Sequence, residues 1–189
     1  MKYTDIIPII FVDRNFEVIQ SLVSSFSSIN GPKFIHTDIF SQGFGTLISP
    51  ANSIGNMDGG IDLEYREKFS GIEDRIQSFI KETHSGKLQI GSAQMVPTYD
   101  SQFPYIIFSP TIETPCDPTS EENIYRASKA VFQTALEYNR KGTIPEDEKI
   151  SRLLIPGFGT GYAQFDPQLS ARQVAKAYRD VSKKYNLEL

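Results

Sequence analysis

Two glycine-rich segments, remote from each other in the chain, constrain this sequence more than any other feature. The first reads SPANSIGNMDGGID over residues 49–62 and the second PGFGTGYAQ over residues 156–164. Each emerges from a short apolar run, Thr46–Ser49 or Arg152–Ile155, and each leads into a helical pattern. Glycine lets backbone approach a ligand closely, and amides that open a helix can hold phosphate oxygens. Ligands of open α/β sheets sit at strand ends. Two such loops after different strands therefore point to a ligand with several phosphate or ribose contacts. The competing reading makes both loops plain tight turns.

The rest of the chain alternates in the same way. Ile6–Val12 is an apolar run suited to a buried strand, and Met1–Val12 reads as that strand rather than as a signal peptide. Asp13 and Asn15 can cap a helix over Phe16–Phe26, with Phe16, Ile19, Leu22, Val23 and Phe26 on one face and Gly31-Pro32 ending it. Phe34–His36 predicts a second strand. Helices follow from near Ile61 and over Ile72–Lys81, then strands over Ser92–Pro97 and Tyr105–Ser109. Pro110–Ser120 reads as a proline-bearing loop. Ser120 opens an amphipathic helix to about Tyr138, with Ile124, Ala127, Val131, Ala135 and Tyr138 on one face, and a last helix spans Pro167–Tyr185. Strands alternating with helices imply a layered α/β sheet.

Composition sets outer limits. A chain of 189 residues fits one domain, since domains cluster at ~100–200 residues. The net charge of −4 argues against broad electrostatic binding to nucleic acid. It leaves room for an anionic small molecule, because backbone amides and helix dipoles bind phosphate locally. No apolar stretch approaches the ~20 residues of a membrane span. Cys116 is the only cysteine, which rules out an intramolecular disulfide and suits an intracellular place, cytoplasmic or nuclear. It reads as an inert loop thiol. His36 and His84 lack metal-ligand spacing, so neither a metal nor a cofactor is expected.

The loops exclude two common nucleotide sites. Gly157, Gly159 and Gly161 give G-x-G-x-G, but Tyr162 stands where a dinucleotide fingerprint needs glycine, and too little chain follows for a βαβ unit. The first loop lacks the Gly-Lys-Ser/Thr ending of a phosphate-binding NTPase loop.

The same residues resemble the macro domain family. SPANSIGNMDGGID resembles its first ligand loop, commonly N-A-A-N followed by a glycine run and Val-Asp. GTGY resembles its phosphate-binding loop, Asp38-Ile39 lies where the family has Gly-Asp-Ile, and Gly91-Ser92-Ala93 resembles the G-x-A that opens a central strand. The resemblance runs from about Asp38 to Tyr178, with the motifs in the family's order. It implies a single three-layer α/β/α domain over residues 1–189, with a central mixed, mostly parallel sheet. The ligand it implies is ADP-ribose, free or carried on a protein.

The resemblance also implies roles. Asp38 accepts from the adenine amino group and Ile39 supplies neighbouring backbone. Asn52 bonds the distal ribose. Gly59, Gly60 and Ile61 form the turn whose amides approach the pyrophosphate and that ribose. Gly157, Phe158, Gly159, Thr160, Gly161 and Tyr162 form the loop that wraps the phosphates, with Tyr162 near the distal ribose. Asp62 matches the acid that orients or activates water in hydrolytic members, and the Asn52-to-Asp62 spacing agrees with theirs. Ser49 replaces the first Asn of N-A-A-N, Pro50 the next Ala, and Ala163 a Gly. Gly159 stands where many members have Ser or Cys, and the His of some hydrolytic members is absent, with Tyr65 and Arg66 in that neighbourhood.

Chemistry supports the roles without the family. Hydrolysis at an anomeric carbon or of an ester needs a positioned water, a base and charge stabilisation, which a carboxylate beside amide-bound phosphate supplies. Each residue also has a plain reading. Asp62 suits the first turn of a helix, Asp38 a turn or cap, Asn52 the loop backbone and Tyr162 the core. A hydrolase acting on ADP-ribose 1″-phosphate, O-acetyl-ADP-ribose or ADP-ribosyl-protein and a non-catalytic ADP-ribose reader both stay open.

Overall fold

The computed structural model describes residues 6–187; the first five residues of the expected leading strand lie outside the described residues. Six strands form one sheet: β1 Ile9–Asp13, β2 Lys33–His36, β3 Thr46–Asn52, β4 Gln94–Pro97, β5 Tyr105–Ile112 and β6 Leu153–Ile155. Their order across the sheet is β2-β1-β6-β3-β5-β4. Among the described residues only the edge pair β4–β5 is antiparallel; every other pairing is parallel. Five helices cover it: α1 Phe16–Ser25, α2 Gly60–Lys68, α3 Ile72–His84, α4 Glu121–Arg140 and α5 Pro167–Tyr185.

The strands are apolar on both faces, as a sheet between two helical layers requires. Phe11, Ile48, Ile107 and Ile155 pack with α1, α4 and α5. Their neighbours Ile10, Val12, Leu47, Ile106, Phe108 and Leu154 pack on the opposite face with Tyr65, Phe69, Ile72, Ile76 and Ile80 of the α2–α3 side. This is the expected three-layer sandwich with a mixed, mostly parallel sheet. Side-chain caps start three helices where the sequence offers them: Asn15 on Glu17 N, Ser120 on Asn123 N and Asp166 on Leu169 N. Among the described residues no helix is long and apolar enough to cross a membrane.

Three details differ from the sequence reading. In α1 the buried face is Val18, Ile19 and Leu22, continued by the capping residue Phe26, while Phe16 and Val23 are exposed. Phe16 instead leans on the His36 ring, 5.3 Å between centroids. β3 continues through Pro50 and Ala51 to Asn52. β5 runs on to Ile112, so Pro110, assigned to a loop, lies inside a strand. The pairing of β4 ends at Gln94 opposite Phe108, so beyond Phe108 that side of β5 is a free edge, where proline is tolerated.

Candidate functional site

β1, β3, β5 and β6 run parallel, so their carboxyl ends gather at one end of the sheet. β6 and β3 are neighbours, which sets the two glycine loops side by side although they are far apart in sequence. Between them lies a cleft of about 460 Å³. It is lined by Asn52, Gly59, Gly60, Ile61 and Asp62 on one side and by Gly157, Gly159, Thr160, Gly161 and Tyr162 on the other.

The first loop is braced from within. The Asn52 carboxamide grips the Asn56 backbone twice, donating from Nδ2 to Asn56 O at 2.7 Å and accepting from Asn56 N at Oδ1 at 3.1 Å. Glu73 of α3 accepts from Met57 N at 2.8 Å. Gly55 has φ 72° and a Cβ there would meet Ile76 Cγ2 at 2.8 Å, so this turn needs glycine on both counts. Asn52 thus does what its plain reading says, holding loop backbone, while also facing the cleft.

The second loop is tied to β1 and to the core. Gly157 N donates to Asp13 Oδ2 at 3.0 Å. Phe158, counted with the ligand residues, turns its ring into the core, 1% exposed, and its carbonyl accepts from Ser170 Oγ at 2.7 Å. Its side chain does not line the cleft. Tyr162 is no core aromatic: it is 56% exposed and lies across Gly59. Its hydroxyl is 3.3 Å from Cys116 Sγ, which brings the loop after β5 to the same rim.

Asp62 lies on the first turn of α2, 7% exposed, at the cleft wall. Ser49 Oγ donates to its Oδ1 at 2.6 Å. Burial pushes the Asp62 carboxyl up to about 6; the Ser49 bond opposes the rise and the charge of Glu73 adds to it.

Asp38 is placed differently from the other predicted residues. It caps a short 3-10 turn, Ile39–Gln42, accepting from Phe40 N at 2.7 Å, and its other oxygen pairs with Arg14. Partial burial pushes its carboxyl up, but the Arg14 and Phe40 hydrogen bonds outweigh it and hold the group below its ordinary value. Ile39 lines the cleft; the Asp38 side chain lies just outside the lining.

Sequence reasoning missed Asp13, Arg14, Glu64 and Thr111, all of which line the cleft. Asp13-Arg14 follows β1 directly, and the strand-end rule used for the glycine loops would have nominated it. Arg14 also donates to Glu64 Oε1 at 2.7 Å, which ties the end of β1 to α2. Thr111 was hidden by ending β5 at Ser109.

A doubly covered, mostly parallel sheet with a glycine-walled cleft at its strand ends defines an α/β protein built to hold a small ligand against backbone. The family model described as "Macro domain" matches residues 48–174, and the chain belongs to that family. An uncharacterized protein of Aquifex aeolicus (strain VF5) is 28% identical over 133 residues, covering 70% of this chain and 72% of its own. Among solved structures, the macrodomain of Mycobacterium tuberculosis DarG superposes with a TM-score of 0.63 at 19% identity, over 77% of this chain and 88% of that one. Thermosipho africanus DarTG in complex with ADP-ribose gives 0.62 at 15% identity, over 87% and 48%. The Oceanobacillus iheyensis macrodomain with ADP gives 0.60 at 14% identity, over 76% and 72%. At these identities the likeness is one of fold.

Proposed function

We propose that residues 1–189 form one ADP-ribose-binding macro domain, acting inside the cell, that hydrolyses an ADP-ribose derivative. The observation that carries the reading is Asp62: a buried carboxyl, pushed up to about 6, at the wall of a cleft between two glycine loops. Such a group is poised to take a proton near neutral pH. Fold neighbours solved with ADP-ribose and with ADP support the choice of ligand.

In this reading the base lies toward Asp38 and the Ile39 backbone. The diphosphate lies against the amides of Gly59, Gly60 and Ile61 and of residues 157–162, with Asn52 and Tyr162 at the distal ribose. Amide donors stabilise phosphate charge without reorganising. Water gives its hydroxyl to the electrophilic carbon or phosphorus and its proton to Asp62. The bond to the leaving-group oxygen breaks, and that oxygen takes a proton back. The substrate is ADP-ribose 1″-phosphate, O-acetyl-ADP-ribose or an ADP-ribosyl-protein ester.

One observation favours a reader without turnover: Asn52 spends both ends of its carboxamide on Asn56, which leaves less of it to orient a ribose. Calorimetry with ADP-ribose tests binding, and a product assay on each ester separates the two readings. Asp62→Ala should keep ADP-ribose affinity and lose turnover. Unchanged turnover removes Asp62 from the mechanism, and no measurable affinity for ADP-ribose in the wild type sinks both readings.

A further inference from the structure

Strand β3 carries one polar side chain where its neighbours are apolar. Leu47 and Ala51, two residues to either side of Ser49, both pack into the α2–α3 layer, and side chains two apart on a strand share a face. Ser49 on that face is 1% exposed. A hydroxyl taken out of water costs free energy unless it is bonded. The partner here is Asp62 Oδ1 at 2.6 Å.

That bond changes character with the charge on Asp62. A hydroxyl donating to a carboxylate is short and roughly twice as strong as one donating to a neutral acceptor. Ser49 therefore favours the charged form of Asp62 over the protonated one. The charge of Glu73 of α3 acts on the same carboxyl in the opposite sense, and the Tyr65 phenol of its own helix feels the Asp62 charge. Burial keeps the Tyr65 phenol protonated, well above its ordinary range. Among the described residues Ser49 is the one hydrogen-bond donor to Asp62, and Asp62 Oδ2 has none.

The contact is not needed to dock α2. Tyr65, one turn further along, donates its hydroxyl to Ile48 O at 3.0 Å, is fully buried, and ties the helix to the same strand. Removing the Ser49 hydroxyl leaves that anchor in place.

We infer that Ser49 is a positioning residue, whose hydroxyl fixes Asp62 Oδ1 so that Oδ2 is presented to the reacting water, and which supports the carboxylate that receives the water's proton. The role rests on the hydrolytic reading above. It gives a specific meaning to the serine that replaces the first asparagine of the loop motif.

The test compares Ser49→Ala and Ser49→Thr with the wild type. The carboxyl of Asp62 is titrated by carbon NMR, and the pH dependence of kcat is measured on the best ester. Ser49→Ala should move the NMR titration and the acid limb of kcat upward together by about one pH unit, as loss of a hydrogen bond to the charged form does. That shift lowers kcat about fivefold at pH 6, as one unit of pKa there implies. ADP-ribose affinity should stay within about twofold, and Ser49→Thr, which keeps the hydroxyl, should restore both midpoints. An active protein whose titration and pH profile are untouched by Ser49→Ala overturns this role alone. A titration that moves in a protein with no turnover on any ester overturns the hydrolytic reading and this role together, leaving a structural pair.

Discussion

The ring of Tyr162 occupies the place where a side chain on Gly59 would begin: a Cβ at Gly59 would stand 2.7 Å from Tyr162 Cδ2. The Gly59 backbone is extended, φ −154°, so any residue could adopt it. What excludes a side chain is the ring from the other loop. Gly59→Ala should push Tyr162 off and weaken ADP-ribose binding about tenfold, the size of a lost aromatic wall. Tyr162 is exposed, so stability should change by no more than ~0.5 kcal/mol. In a double-mutant cycle, Gly59→Ala should add almost nothing once Tyr162 is Ala. Additive losses by calorimetry would mean that the two loops act independently.

Asp62 carries a stability cost whose sign follows from its titration. The folded carboxyl sits at about 6, against an ordinary value of 3.8, so the folded state holds the proton more tightly than the unfolded one. Stability therefore falls as pH rises from about 4 to about 6, and the cost is complete above that. A shift of about two units corresponds to about 3 kcal/mol at most. Asp62→Asn keeps the shape and an acceptor for Ser49 but removes the charge. It should raise the unfolding free energy at pH 7.5 by up to that amount, with most of the gain gone at pH 4. Denaturant unfolding at the two pH values checks this, and an equal gain at both would assign the effect to packing.

The layered α/β order and both glycine loops were legible because they rest on local signals, the alternation of apolar runs and the punctuation of Gly and Pro. The ends of elements were less so. Pro110 reads as a loop residue in isolation, and only the early end of β4 makes it tolerable inside β5. Phe158 sits in a loop motif, so sequence reading counts it with the ligand residues, but its ring fills the core beneath the turn while its backbone stays in the loop. The Arg14–Asp38–Glu64 cluster joins the end of β1 to the segment after β2 and to α2. No local spacing announces such a cluster, since sheet order alone brings these positions together. Asp62 was singled out from its motif, but the hydroxyl beneath it was noted only as a departure from the family's asparagine.

Gly157 fixes the second loop more tightly than its exposure indicates. A Cβ there would stand 2.2 Å from Thr160 Oγ1, 2.8 Å from Val18 Cγ1 and 3.2 Å from Asp13 Oδ2. Thr160 can rotate away, but Val18 belongs to the buried face of α1. Gly157→Ala should cost about 2 kcal/mol, within the range of overpacked cores. Thr160→Ala should recover only a minor part of it, whereas Val18→Ala should cost less in the Gly157→Ala background than it does alone, because the added methyl fills the space it leaves. Thermal unfolding of the four variants reads this out. Full rescue by Thr160→Ala would place the whole conflict inside the loop.

Arg14 is the one cation among the described residues lining the cleft, whose lining also includes Asp13, Asp58, Asp62 and Glu64. A nucleotide diphosphate sugar brings two further negative charges to that wall. Arg14 is 60% exposed and Asp38 33%, so as a surface ion pair the contact is worth only ~0–1 kcal/mol of stability. Its weight falls on binding instead. Arg14→Ala leaves Asp38 and Glu64 unneutralised beside an anionic ligand, and like charges at close range repel. ADP-ribose affinity should drop about tenfold at low salt and less at 0.5 M salt, where screening shortens the reach of charge to a few ångströms. Adenosine, which has no phosphate, should lose little. Calorimetry with both ligands at two salt concentrations separates the outcomes. If Arg14→Ala instead tightens ADP-ribose, then Arg14 blocks Asp38 from the base, and the carboxylate is released by its removal.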